Sequence, residues 1–232
     1  MRVASVPAGG LLARGMNYGR KRIMLDQEFD ALLRDLAEQG FSITDGLLPN
    51  GLVDALYQDA LRAWQAGEFS PARVGHSLQP QRVTSIRGDT IRWLDSEPQN
   101  EAQTEFLNWT EALRNELNAQ FYLGLQRTEF HYAHYQPGSG YARHVDQHRG
   151  QPHRRITLIL YLTPDRHPED GGELCLYRPD APNEELLRIA PERGRLVLFR
   201  SELLPHAVLP ARRSRWSMTG WFRNDHSLLR AA

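Results

Sequence analysis

The stretch Gly140-Tyr141-Ala142-Arg143-His144-Val145-Asp146 decides how the chain is read. At its end His144 and Asp146 form an HxD pair, with the two side chains at i and i+2. On a strand or at a strand end, that spacing places both on one face. An imidazole and a carboxylate on one face are two of the three ligands of a 2-His-1-carboxylate facial triad, which leaves open positions on a non-heme Fe(II). The third ligand has to come from far along the chain. His206, set between prolines in Leu204-Pro205-His206-Ala207-Val208-Leu209-Pro210, is the candidate. Arg215 follows in Arg215-Trp216-Ser217-Met218-Thr219-Gly220-Trp221. A guanidinium there can clamp a carboxylate through two parallel hydrogen bonds. An HxD pair alone is common in solvated loops; the combination carries the weight.

Composition narrows the classes. Lys and Arg total 28 and Asp and Glu total 28, so the formal net charge is zero. That balance gives no bulk electrostatic case for nucleic acid or an anionic membrane. The single cysteine, Cys175 in Leu174-Cys175-Leu176, cannot form an internal disulfide and reads as a buried strand residue. A reducing, cytoplasmic setting fits that usage. No apolar run approaches the ~20 residues needed to span a bilayer. Leu11-Leu12-Ala13 is broken by Arg14, which falls short of the ~7–15 apolar residues of a signal peptide. Residues 1–24 read as a disordered leader and residues 25–232 as one domain. Its helical part spans 25–122 and its β part 125–223.

In chain order, residues 26–39 read as a helix, with Phe29, Leu32, Leu33 and Leu36 on one face. Gly40 is its stop, and Phe41-Ser42-Ile43-Thr44 alternates as a short strand. Asn50 is the expected N-cap of a second helix, whose stripe is Leu52, Val53, Leu56, Tyr57, Ala60, Leu61 and Trp64. Residues 70–95 lack helical periodicity and read as a β-hairpin-like excursion. A third helix covers about 100–121, with Phe106, Trp109, Leu113 and Leu117 inward. Short strands follow at 127–135, 155–163, 173–178, 185–190, 194–200, 206–209 and 215–223. Helices followed by short antiparallel strands predict an α+β fold with a sandwich or jelly roll.

Several stretches together resemble the 2-oxoglutarate- and Fe(II)-dependent dioxygenases. They resemble more closely the prolyl 4-hydroxylases related to the animal hypoxia-sensing enzymes. They are Ser85-Ile86-Arg87-Gly88-Asp89-Thr90-Ile91-Arg92-Trp93, the run from Tyr135 to Asp146, Leu160-Tyr161-Leu162, Asp170-Gly171-Gly172-Glu173-Leu174 and the segment from His206 to Phe222. The resemblance implies a double-stranded β-helix (jelly-roll) core with N-terminal supporting helices. It implies Fe(2+) held by His144, Asp146 and His206, with 2-oxoglutarate and O2 as cosubstrates and L-ascorbate as reductant. Arg215 would pair with the distal carboxylate of 2-oxoglutarate, with Tyr161 donating a hydroxyl. Thr219 and Ser217 alternate with Arg215 on one strand face and could share that pocket. The turn before His144 is one residue shorter than in the animal enzymes, so either His134 or Tyr135 takes the metal-proximal place. Trp221 is a candidate for the pocket floor, with strand core as the alternative. His148 and His153 lack ligand spacing and face the substrate side, where Arg154 or Arg155 could meet a peptide.

The implied activity is prolyl 4-hydroxylation of a loop in an intracellular protein, a translation factor being the candidate in the bacterial branch. The hairpin at 70–95 would then close over the substrate. Alternatives are a dioxygenase of the same core acting on another side chain or a small molecule, and a non-catalytic module that senses 2-oxoglutarate. No nucleic-acid or membrane partner is expected, and the sequence leaves the oligomeric state open.

Overall fold

The protein is described here from a computed structural model covering residues 29–72, 86–95, 97–147 and 151–226. The expected leader, His148 and half of the 70–95 excursion lie outside these residues. Helix α1 occupies residues 29–39, followed by β1 (Phe41–Thr44) and α2 (Asn50–Gln65). Strands β2 (Ser70–Pro71) and β3 (Thr90–Trp93) precede α3 (Glu101–Phe121). The remaining strands are β4 (Arg127–Tyr135), β5 (Tyr141–His144), β6 (Arg154–Tyr161), β7 (Leu174–Tyr177), β8 (Glu185–Ile189), β9 (Leu196–Arg200), β10 (His206–Val208) and β11 (Arg215–Arg223).

The helices start and stop for local reasons. Asn100 caps α3, its side-chain oxygen accepting the Gln103 N–H at 3.0 Å. Helix α2 corrects one expectation. Asn50 is its first helical residue, and Pro49 is the N-cap, without a side-chain cap bond. A proline just outside the helix brings no N–H that needs a partner. Phe106, Trp109, Leu113 and Leu117 of α3 are buried, as the stripe requires.

Two antiparallel sheets form the core. The larger has seven strands in the order β1-β9-β6-β11-β4-β3-β2, and the smaller has the order β5-β10-β7-β8. Side chains on a strand alternate between faces, and the two faces of the large sheet divide the apolar residues. The outward set (Phe130, Tyr132, Leu158, Leu160, Leu198, Met218, Phe222) packs with Phe29, Leu33, Leu56 and Leu113 of the helices. The inward set (Ala133, Tyr135, Ile159, Tyr161, Val197, Phe199) meets Leu174, Leu176 and Val208 of the small sheet. This is the jelly-roll core with supporting helices, an α+β arrangement. Cys175 is buried in β7.

Strand β11 lies between β4 and β6 and carries the inward polar residues. Its close fit to β4 depends on Gly220, where an added Cβ would come within 2.2 Å of the Glu129 carbonyl oxygen. The ends of the 70–95 excursion pair as expected, Ser70 opposite Ile91 and Pro71 opposite Thr90. Among the described residues no helix is long and apolar enough to cross a membrane.

Candidate metal and cosubstrate site

The two histidines come from neighbouring strands of the small sheet. His144 ends β5 and His206 opens β10, directly opposite each other in the register. Asp146 lies just past the end of β5. The ligand atoms of His144, Asp146 and His206 all fall within 4.8 Å of one another. His144 Nε2 is 3.4 Å from Asp146 Oδ1, and His206 Nε2 is 3.7 Å from Oδ2.

Backbone contacts set which nitrogen faces the centre. His144 Nδ1 lies 2.9 Å from the Ala142 carbonyl oxygen and His206 Nδ1 3.1 Å from that of Leu204. A carbonyl only accepts, so each Nδ1 carries a proton and each Nε2 faces Asp146. Such partners fix tautomer and ring orientation in metal-binding histidines. Burial, and then the neighbouring His144, lowers the His206 pKa to about 4, so its imidazole is neutral at pH 7. For Asp146, burial works against ionisation, but His206, His144 and Arg154 outweigh it and leave the carboxyl well below its usual range. The Thr157 hydroxyl donates to Asp146 Oδ2 at 2.8 Å and lies 2.8 Å from the Ser201 hydroxyl. Two imidazole nitrogens and one carboxylate fit a divalent iron with open positions.

Arg215 is 3% exposed, and no carboxylate pairs with it among the described residues. Its guanidinium sits 4.8 Å from the Tyr135 ring centroid and 4.9 Å from that of Tyr161. Arg215 Nε and the Tyr161 hydroxyl are both buried without a hydrogen-bond partner. A buried unpaired charge is costly, and orphaned buried donors call for an acceptor. A carboxylate placed between them satisfies both, so the pocket fits the distal end of 2-oxoglutarate. Gly172 makes room for this arginine: its φ is +74°, and an added Cβ would stand 3.0 Å from Arg215 Cδ.

Strand alternation separates the two residues that the sequence left open. Tyr135 is the cross-strand partner of Arg215 and belongs to the inward set. His134 points the other way, stacked on Trp216 at 3.8 Å and 7° and hydrogen-bonded to Ser214 at 3.2 Å. Ser217 lies opposite Tyr161, and its hydroxyl is 3.2 Å from that of Thr219. Both share the inward face with Arg215.

Further out on this face, Trp221 is buried, with the Arg154 guanidinium 3.4 Å from its ring centroid. Arg154 Nε donates to Glu129 at 3.0 Å, and Arg223 donates to the same carboxylate oxygen at 2.9 Å. His131 and Trp93 complete an aromatic wall with Trp221. His153 Nδ1 lies 3.1 Å from the Asn224 side-chain oxygen. Thr157, His131 and Glu129 are not among the residues expected at the site from the sequence. The one signal was Thr157, a polar residue inside the apolar run Ile156-Thr157-Leu158-Ile159-Leu160.

The model of the 2OG-Fe(II) oxygenase superfamily matches residues 130–223, the stretch that holds the triad and Arg215. The crystal structure of a Pseudomonas putida prolyl-4-hydroxylase superposes with a TM-score of 0.75 at 39% identity, covering 84% of this chain and 98% of that one. A Trichoplax adhaerens prolyl hydroxylase, in complex with a hypoxia inducible factor oxygen degradation domain peptide fragment, gives 0.79 at 26% identity over 88% and 93%. The Egl nine homolog 1 of Rattus norvegicus is 26% identical over 97% of this chain and 67% of its own length. Its mouse and human counterparts are covered over 56% and 46% of theirs, so the chain spans about half to two thirds of these relatives. The chain belongs to the 2OG-Fe(II) oxygenase superfamily. Within it, the two solved structures above are prolyl hydroxylases, and the family chemistry uses Fe(2+), 2-oxoglutarate and O2.

Proposed function

We propose that the protein hydroxylates C4 of a prolyl residue in a loop of another protein. Arg215 carries the reading: a buried cation without an acidic partner, bracketed by two tyrosines and reached from the same face as the triad. The iron, O2 and 2-oxoglutarate together supply the oxidising power, by which the cosubstrate becomes succinate and CO2 and one oxygen atom enters a C–H bond.

The chain's own residues bind, orient and exclude water. His144 and His206, through Nε2, and Asp146 would hold the Fe(II). The Thr157 hydroxyl fixes one Asp146 oxygen and limits rotation of the carboxylate. Arg215 and Tyr161 receive the distal carboxylate of 2-oxoglutarate, and Thr219 and Ser217 add hydroxyls along the same strand. Burial pushes the Tyr135 and Tyr161 phenols up, so both remain protonated donors at neutral pH. The apolar inward face keeps water from the reacting centre, and preset positions remove much of the entropic cost of bringing reactants together. Trp221 is the candidate for the pocket floor, and Arg154, stacked on it, for a contact with the peptide.

L-ascorbate would serve as the reductant that keeps the iron ferrous. A loop of a translation factor, in the cytoplasm, is a candidate target. The Trichoplax adhaerens prolyl hydroxylase, solved in complex with a peptide fragment, supports a protein substrate. Mass spectrometry of proteins incubated with the enzyme tests this reading. A 2-oxoglutarate-dependent gain of one oxygen atom on a proline is expected. Succinate production with oxygen placed only on another residue or on a small molecule would overturn it.

A further inference from the structure

His144 and His206 are held differently. The His206 side chain is 5% exposed and packs on Phe199, while that of His144 is 19% exposed. What His144 lacks in enclosure is supplied by a stack. The Tyr141 ring lies 3.6 Å from the His144 ring at 17°, nearly parallel. The Arg87 guanidinium sits 4.8 Å from the centroid of the same Tyr141 ring. Asp89 fixes Arg87 through two bonds of 2.7 and 3.0 Å. The Asp89 side chain is fully buried.

The backbone carries this column into both sheets. Arg87 lies opposite Tyr141. The Gly88 N–H donates to the Gly140 carbonyl at 2.9 Å, and the Ala142 N–H donates to that of Ile86 at 2.7 Å. A few residues on, Thr90–Trp93 is strand β3 of the large sheet, paired with β4. Trp93 then forms the aromatic wall with His131 and Trp221.

We propose that Tyr141 is a positioning residue for His144, and that Arg87, Tyr141 and His144 couple metal occupancy to the order of segment 86–93. The bond from His144 Nδ1 to Ala142 fixes one direction of the ring, and the Tyr141 stack fixes its plane. A bound metal locks that plane, which restrains Tyr141, then Arg87 and the backbone bonds beside it. Coupling between two sites is reciprocal, so ordering this segment, and with it Trp93, favours metal retention. The inference rests on His144 being a metal ligand.

The test uses the whole chain and Mn(II) alone. Affinity is measured by calorimetry, and hydrogen exchange is followed at the Gly88 and Ala142 amides. The parent should bind Mn(II) and show slower exchange at both amides when loaded. Tyr141→Leu should lose roughly tenfold in affinity, the lower end of the effect of removing partners of metal ligands, and also lose the metal-dependent protection. Tyr141→Phe keeps the ring and should keep both. Arg87→Gln should retain most of the affinity and lose the protection at Gly88. Parent-like affinity and protection in Tyr141→Leu would overturn the proposal, as would Mn(II) binding to the parent with neither amide affected. If Tyr141→Leu does not fold, unchanged protection in Arg87→Gln overturns it. A parent that takes up no Mn(II) would instead remove the metal-site reading itself.

Discussion

His144 and His206 are cross-strand partners on β5 and β10, so the register of one strand pair sets the spacing of the two imidazoles. Asp146 needs only to follow His144 past the strand end to complete the set. Two of the three ligands thus sit on sheet backbone, which favours precise placement. The proposed cosubstrate end is built the same way, with Arg215 opposite Tyr135 and Ser217 opposite Tyr161.

Arg215→Lys keeps the charge and loses the planar fork. A hydrogen bond to a charged group contributes about 1.5–3 kcal/mol, so the KM for 2-oxoglutarate should rise roughly tenfold to a hundredfold. Metal affinity should hardly change. Steady-state kinetics with varied 2-oxoglutarate, beside a metal titration, checks both. An unaltered KM would place the carboxylate partner elsewhere.

Gly172→Ala should produce a milder version of that defect. A residue with a Cβ in the left-handed region pays about 1–2 kcal/mol, and here the Cβ also presses on Arg215 Cδ at 3.0 Å. The expected result is a lower melting temperature and a several-fold rise in the KM for 2-oxoglutarate, with parent-like metal affinity. Loss of stability with no change in KM would show that Gly172 serves only the turn.

His134 gives the fold a defined acid sensitivity. Burial lowers its pKa to about 4, while an unfolded histidine titrates near 6.5. The unfolded state therefore binds the extra proton, and stability falls as pH drops through 6.5 toward about 4. Between pH 6.5 and 5 the carboxylates with lowered pKa add little, because their unfolded values lie below that window. His134→Phe keeps a ring against Trp216 and removes the titration. Urea unfolding should show its stability falling less steeply than the parent's, by up to about 1.4 kcal/mol per pH unit. Identical slopes would mean that His134 is protonated in the folded protein.

The sequence was most legible where side-chain period and ligand chemistry coincide. Strands β4 and β11 fall at the expected residues, 127–135 and 215–223, because the polar positions of β11 recur every second residue between apolar ones. His206 was found as a partner for His144 through its chemistry, and the sheet register brings the two together. His134 and Tyr135 could not be separated from sequence, because both suit a site and they point to opposite faces. Only pairing to Arg215 fixes which one is inside. The stack of Tyr141 on His144 forms at a strand end, where period-two alternation lapses. The network of Glu129 with Arg154 and Arg223 joins three strands, and no local pattern announces it. Pro49 displaced Asn50 as the cap of α2 because a good capping residue one position too late simply becomes the first turn.

The most direct measurement is anaerobic titration of the protein with Fe(II) and 2-oxoglutarate, following the metal-to-ligand charge-transfer absorption that appears when the cosubstrate chelates the iron. This absorption is expected for the parent, at higher 2-oxoglutarate concentration for Arg215→Lys, and not at all for a folded Asp146→Ala. A parent protein that binds Fe(II) and 2-oxoglutarate without the absorption, or an Asp146→Ala variant that shows it undiminished, would contradict the assignment of His144, Asp146 and His206 as the metal site.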